Sequence, residues 1–411
     1  MTPITRRRLL ASAGAGAAGI GLGASGYLIG RESAEADEDP GATVPFYDEH
    51  QAGIATPVQD RLHFAAFDLL TESRAELREL MREWSRAAAE MCAGRLVGEV
   101  NGQLGAPPDD TGEAVGLSAA RLTVTFGFGP SLFEKRSLGL SASRPAALKP
   151  LPPLPGDELN ERESGGDISV QACSDDPQVA FHAIRNLARI GNGAVEIRWS
   201  QIGFARTSTT SRKQEARRNL MGFREGAGNL RGEDEEAMDT CVWVAGDSRP
   251  AWMRGGTYMV TRRIPMQLET WDRSSLEKQE RTIGRAKYSG APLGGNDESD
   301  PPDLSAIEEG KPVIPDNAHV RLASSIDPSE RILRRGYSFT DGVDPRTGEL
   351  EAGNFFICFQ RDPGRQFVAI QRRLGTSADA LNKFIRHVGS AVFAIPPGAS
   401  PGGYVGEGLL S

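Results

Sequence analysis

The hydrophobic pattern changes period several times along the chain, and each change marks an element. Residues 61–70 read as a strand, and 74–93 as a helix with Leu77, Leu80, Met81, Trp84, Ala88 and Met91 on one face. A Gly/Pro/Asp-rich loop fills 95–120. Leu122, Val124, Phe126 and Phe128 then alternate through a second strand, and 168–173 make a third. Ala180, Ile184, Leu187 and Ala188 mark another helix, and 195–204 closes the set as a strand. The predicted order is β-α-β-β-α-β, the ferredoxin-like unit.

That order then recurs. Residues 257–268 read as a strand, 274–287 as a helix with Ser274 and Glu277 placed as a capping box, and 331–339 as a strand. A strand at 354–361, in which Phe355, Ile357 and Phe359 alternate, precedes a helix predicted over 378–389 from Leu381, Phe384, Ile385 and Val388. Residues 391–395 supply the last strand. The expectation is an α+β fold, with tandem ferredoxin-like domains at 58–206 and 251–411 joined into a barrel-like body. Two long remainders stand outside the repeat, a connector at 207–250 and an insertion at 288–330. Loops of that length tend to be either functional or disordered. The connector holds Gly222-Phe-Arg-Glu-Gly226, and the insertion holds His319, one of five histidines.

Composition narrows the class. With 39% hydrophobic and 25% charged residues, the chain is an ordinary globular protein with a real core. The net charge is -8, and the first 36 residues hold four Arg against two Glu, so the remainder is more acidic still. That sign excludes nucleic acid and an anionic membrane surface as default partners. Four cysteines lie far apart with no C-x-x-C spacing, which fits buried thiols, with room for one disulfide, and not a scaffold or zinc site.

The N-terminus reads as a targeting segment. Thr5-Arg-Arg-Arg-Leu-Leu10 precedes a weakly apolar Ala/Gly run to Ile29, and Ala34-Glu-Ala36 offers a cleavage site. This resembles a bacterial twin-arginine signal, the route that exports folded proteins, often with a cofactor inserted. Residues 1–36 are assigned to the signal and 37–57 to a linker. The glycine content of the run makes a poor membrane span.

As residue types alone, a lone histidine ahead of a strand is first a hydrogen-bonded structural residue, and the Arg334-Arg335 pair is first a solvated face. What changes their weight is a longer resemblance. It runs through His50–Phe64, Phe126–Ser131, Asp175–His182, Leu268–Arg273, Ser289–Gly294, Leu333–Tyr337 and Gln360–Pro363. In these segments, in this order, the chain resembles the dye-decolorising peroxidases, in the exported branch that includes the bacterial deferrochelatase/peroxidase.

The resemblance implies two ferredoxin-like domains enclosing one haem b, with hydrogen peroxide as oxidant and an organic or protein electron donor. It leaves room for an oligomer. It places the iron ligand on His319 and the distal arginine on Arg335. An imidazole can hold the iron, and a guanidinium can stabilise the charge that develops as an O–O bond breaks. The family's G-x-x-D-G motif falls on Gly222–Gly226, with Glu225 in place of aspartate as the proton shuttle. Gly226, Ala227 and Gly228 leave space for a macrocycle to approach the backbone. Where the family reads Asn-Pro-Arg after the ligand segment, this chain reads Ser324-Ser325-Ile326, so hydroxyls replace a cation as haem contacts. Glu225 is longer than aspartate by one methylene, about 1.5 Å of reach. Three placements are open for it: folded back as the shuttle, crowding the iron, or swung away to pair with an arginine.

The leading expectation is an exported haem peroxidase that oxidises bulky donors such as dyes and phenols, slowed by Glu225. One alternative is a deferrochelatase that releases iron from haem with little peroxidase turnover. Another is a non-catalytic binding module with a degenerate site, since fold alone does not fix function.

Overall fold

In the computed structural model, the described residues are 42–99, 104–205, 217–324, 327–345 and 347–411. The twin-arginine segment and Ser325 lie outside them. The N-terminal half runs β1 (Arg61–Leu69), α1 (Arg74–Cys92), β2 (Thr123–Phe128), β3 (Ile168–Ser174), α2 (Pro177–Ile190) and β4 (Val195–Phe204). Both helices start on side-chain caps: Ser73 accepts the Glu76 amide, and Asp176 accepts those of Gln178 and Val179 just before Pro177. A bond of 2.8 Å from Trp84 Nε1 to Leu187 O ties the two helices together. Laterally the strands run β2-β3-β1-β4, the ferredoxin-like order.

A short helix α3 (Glu235–Cys241) leads into the second half. There β5 (Thr257–Pro265), α4 (Leu268–Asp272) and α5 (Leu276–Ile283) precede a small hairpin of β6 (Ile307–Glu308) and β7 (Lys311–Pro312). Then come α6 (His319–Ala323), β8 (Leu333–Arg334), β9 (Tyr337–Val343), β10 (Leu350–Gln360), α7 (Phe367–Thr376), β11 (Gly389–Ile395) and α8 (Glu407–Leu410). The lateral order β11-β5-β10-β9 repeats that of the first half.

The halves close on one another. β4 meets β9 at Phe204 and Ser338, and β11 meets β2 at Ala394 and Phe128. Eight antiparallel strands therefore form a closed barrel, β5-β11-β2-β3-β1-β4-β9-β10, with β10 returning to β5. Among the described residues, closure leaves none of the eight barrel strands as a sheet edge. β8 continues the line of β9 along β10, where Cys358 and Phe359 lie opposite Arg334 and Leu333. The α+β, barrel-like expectation describes this body.

Strand alternation sorts the side chains into two cores. Leu62, Phe64, Met259, Leu333, Tyr337, Phe339, Phe355, Ile357, Phe359, Phe393 and Ile395 come from strands all round the barrel and fill its interior. Ala65, Phe67, Phe126, Val170 and Val260 face outward, into the core that α1 and α2 cover in the first half.

Three predicted elements change. The helix expected over 378–389 is absent; the helix of that region is α7, which starts eleven residues earlier, at Phe367. It ends before Ala378, which takes a left-handed φ of 54°, and Asp379 then caps a short 3-10 turn, Ala380–Lys383. Leu381 and Phe384 are buried as expected, but against Trp271, Met221 and Phe223. The capping residue of α5 is Ser275, which accepts the Lys278 amide, and not Ser274. The strand expected over 331–339 is broken at Arg335 and Gly336.

Candidate active site

His319 is the first residue of α6, and its Nδ1–H donates to Asp379 Oδ2 at 2.7 Å. The carboxylate is itself fixed, because Asp379 Oδ1 accepts the Leu381 amide at 2.9 Å and its side chain is 1% exposed. The imidazole keeps 32% exposure, so its other nitrogen is left accessible. A carboxylate behind one ring nitrogen is the usual device for orienting the other toward a metal. α6 is seated by close approach at Gly284. This residue ends α5 at φ +94°, and a Cβ there would meet Ala318 and Val320 at 3.3 Å.

The segment carrying Glu225 is a tight hairpin. Arg218 bridges Arg224, the Asn219 amide donates to Phe223 O at 2.9 Å, and Asn219 Oδ1 accepts the Met221 and Phe223 amides. Arg218 anchors the hairpin through the carbonyls of Gly222, Lys287 and Tyr288. Phe223 packs edge-on to Trp271, which also packs on Phe384. The hairpin and the turn that carries Asp379 therefore share one small core.

Arg334, not Arg335, stands beside this hairpin. Arg335 shares strand parity with Leu333, Tyr337 and Phe339, so its guanidinium points into the barrel. There it donates to Thr56 O and Gln59 Oε1 and is 2% exposed. Arg334 faces the other side. Its Nη2–H donates to Ala227 O at 2.8 Å, and Asn229 clamps its backbone through both amide atoms, at 2.8 and 2.9 Å. The resemblance gives the distal role to Arg335, but strand alternation puts Arg334, and not Arg335, on the Glu225 side.

Burial pushes the Glu225 carboxyl above its ordinary range, against the opposing pull of Arg217 and Arg334. Its side chain nevertheless keeps 21% exposure. Arg334 is held below its usual range by burial, with Glu225 pulling it back and Arg217 and Arg285 adding to the depression. Of the three placements open to Glu225, the one adopted pairs it with an arginine: Oε2 lies 3.5 Å from Arg217 Nε.

These residues fit a haem. Open space adjoins Gly226 and Gly228, where a Cβ would meet nothing within 4 Å. Arg217 Nη1 is buried and unpartnered. Among the described residues no group of three or more His, Cys, Asp or Glu could hold a bare metal ion, so a single imidazole suits an iron whose other ligands arrive with a macrocycle. Ser324 does not fit the contact expected of it. Its hydroxyl donates to Val320 O at 2.7 Å, which spends its one proton before any haem carboxylate could accept it.

The other histidines are occupied elsewhere. His50 stacks on Trp243 at 3.7 Å, His63 on Phe181 at 5.8 Å, His182 bonds Glu113, and His387 is buried beside Gln371. All four cysteines are buried and unpaired. A wide cleft of about 960 Å³, lined by Lys149, Tyr258, Arg361, Asp362 and Arg372, includes neither His319 nor Glu225.

Comparison with known proteins decides the family. The Dyp-type peroxidase N-terminal model matches residues 51–205, and the Dyp-type peroxidase C-terminal model matches 216–400. The chain belongs to the dye-decolorising (DyP-type) peroxidase family. It is 36% identical over 374 residues to the deferrochelatase of Escherichia coli K12, covering 89% of this chain and 87% of that protein. Ferric DtpA from Streptomyces lividans superposes with a TM-score of 0.84 at 40% identity, over 90% of this chain and 98% of the other. The DyP-type peroxidase of Cellulomonas bogoriensis gives 0.83 at 41%, over 90% and 99%. As a DyP-type protein the chain is a haem-dependent peroxidase, and haem b is its cofactor. Among its described residues no helix is long and apolar enough to cross a membrane.

Arg334, Asp379, Asn229 and Arg217 were the site residues that sequence reasoning passed over. Alternation with Leu333, Tyr337 and Phe339 was available to separate Arg334 from Arg335. Asp379 was hidden inside a helix that does not form.

Proposed function

We propose that this protein is an exported haem b peroxidase that reduces hydrogen peroxide and oxidises bulky organic donors, with His319 as iron ligand, Glu225 as proton acceptor and Arg334 as the distal cation. The observation that carries this reading is the convergence of Glu225 and Arg334 on one side of the glycine loop, in the same small assembly that seats the His319–Asp379 pair. When bound, haem supplies the redox-active iron that takes oxidising equivalents from peroxide and passes them on one electron at a time. Asp379 orients the His319 ring and keeps it electron-rich through the shared proton. Glu225 takes the peroxide proton; its raised carboxyl pKa brings it nearer the operating pH, which favours a general base. Arg334 stabilises the negative charge left on the departing oxygen, its guanidinium fixed beforehand by Ala227 and Asn229. Because Glu225 carries one more rotatable bond than an aspartate, its carboxylate is harder to hold in place and proton transfer is slower than an aspartate would give. The twin-arginine pattern at Arg6 and Arg7 supports export of the folded chain.

The deferrochelatase reading is kept because the curated relatives at 36% identity carry that name. One experiment covers both. Purified protein reconstituted with haem should show a Soret band that is lost or strongly shifted in His319→Ala. Wild-type protein should oxidise an anthraquinone dye with peroxide faster than it releases iron from haem. An unchanged Soret band in His319→Ala would remove the ligand assignment, and iron release without dye turnover would favour the deferrochelatase.

A further inference from the structure

Residue 225 sits opposite residue 217 across the hairpin. The Glu225 amide donates to Arg217 O at 2.9 Å, and the adjoining Arg218 and Arg224 form the next bridge. Cross-strand neighbours of this kind put their side chains on the same face, a few ångströms apart. The contact between Arg217 Nε and Glu225 Oε2 at 3.5 Å is therefore dictated by the backbone, in a hairpin that Arg218 and Asn219 already hold rigid. Both side chains are largely sheltered, at 18% and 21% exposure, so solvent screens the pair only in part. Arg217 Nη1 is buried with no partner, which leaves part of its donor capacity unspent beside the carboxylate.

Length makes this pairing specific to glutamate. An aspartate at 225 ends about 1.5 Å short, and a contact already at 3.5 Å would open beyond ion-pair range. Glutamate without a tether has an additional rotatable bond and a correspondingly looser carboxylate. A misplacement of about 1 Å in a reacting group can cost on the order of a hundredfold in rate.

We propose that Arg217 is a positioning residue that compensates for the longer Glu225, holding the carboxylate through Oε2 and leaving Oε1 to receive the peroxide proton. The proposal rests on the reading of Glu225 as proton acceptor and adds the group that sets its position. Arg217 does not touch the reacting oxygens. It acts only through Glu225, so its effect must vanish when the side chain it holds is shortened.

The test is a double-mutant cycle on the haem-loaded enzyme, read by stopped-flow mixing with peroxide. Arg217→Gln should slow the peroxide reaction about tenfold when residue 225 is Glu and less than twofold in Glu225→Asp. Arg217→Lys should restore part of the rate in the Glu background. A second readout needs no haem. The infrared carboxylate band of Glu225 in the apoprotein, assigned by its loss in Glu225→Gln, should shift in Arg217→Gln. Equal slowing in both backgrounds, or an unmoved band, overturns the proposal. If Glu225→Gln alone leaves the peroxide rate unchanged, the proton-acceptor reading fails and the proposed compensation fails with it. A band that still shifts would then report only a structural ion pair.

Discussion

Arg334 and Arg335 are one peptide bond apart, yet a strand turns one toward the hairpin of Glu225 and the other into the barrel. Their losses should differ in kind. Arg334→Leu should leave the fold and haem binding intact and slow the peroxide reaction by roughly a hundredfold or more, the usual effect of removing a preorganised charge-stabilising donor. Arg335→Leu should lose on the order of 3 kcal/mol of stability, and so unfold at lower temperature, because Thr56 O and Gln59 Oε1 lose their buried donor. Thermal unfolding and stopped-flow kinetics on both variants separate the two; a slow peroxide reaction in a fully stable Arg335→Leu would return the distal role to that residue. The amino-acid sequence brought out Glu225 and the Arg334-Arg335 pair, but the resemblance gave the distal role to Arg335 alone. Parity with Leu333, Tyr337 and Phe339 would have chosen between the arginines, but the two-residue β8 is too short to announce its register alone.

At the scale of elements, the repeated β-α-β-β-α-β order was legible because the barrel strands alternate and α1 and α2 show a continuous apolar face. The region after β10 departs from its hydrophobic pattern for a definite reason. Leu381, Phe384 and Ile385 have helical spacing but pack from a 3-10 turn against Trp271, while α7 buries Phe367, Val368, Ile370 and Leu374 on an equally good period. A helix through 378–389 would have carried Asp379 out of its turn. The turn instead presents one carboxylate oxygen to His319 and the other to the Leu381 amide. Asp379→Asn keeps the shape and loses the charge. It should weaken haem affinity by about ten- to a hundredfold and shift the Soret band, with little change in secondary structure. Titration of apoprotein with haem measures this, and an unchanged affinity would show that the His319 ring is oriented without its carboxylate.

The whole barrel carries a pH dependence that comes from buried imidazoles other than His319. His63 and His387 are buried, and burial lowers each to about 4 from an ordinary value of 6.5. The unfolded chain takes up protons at both positions as pH falls from 6.5 to 4, while the folded chain does not. Their stabilisation is thus complete above 6.5 and is lost through that window, each group costing on the order of 3 kcal/mol by its lower end. Glu113 acts in a separate window. Burial raises its carboxyl, but bonds from Thr111, His182 and Arg185 outweigh that and hold it at about 2, so its contribution persists until pH drops below 4.5. Unfolding temperature of the apoprotein should therefore fall between pH 6.5 and 4, before the Glu113 pairing is lost. His63→Leu and His387→Leu should each flatten that slope, whatever they do to stability at pH 7. A wild-type unfolding temperature that stays level down to pH 4.5 would mean that these two imidazoles accept protons in the folded barrel, and hence that their surroundings admit water.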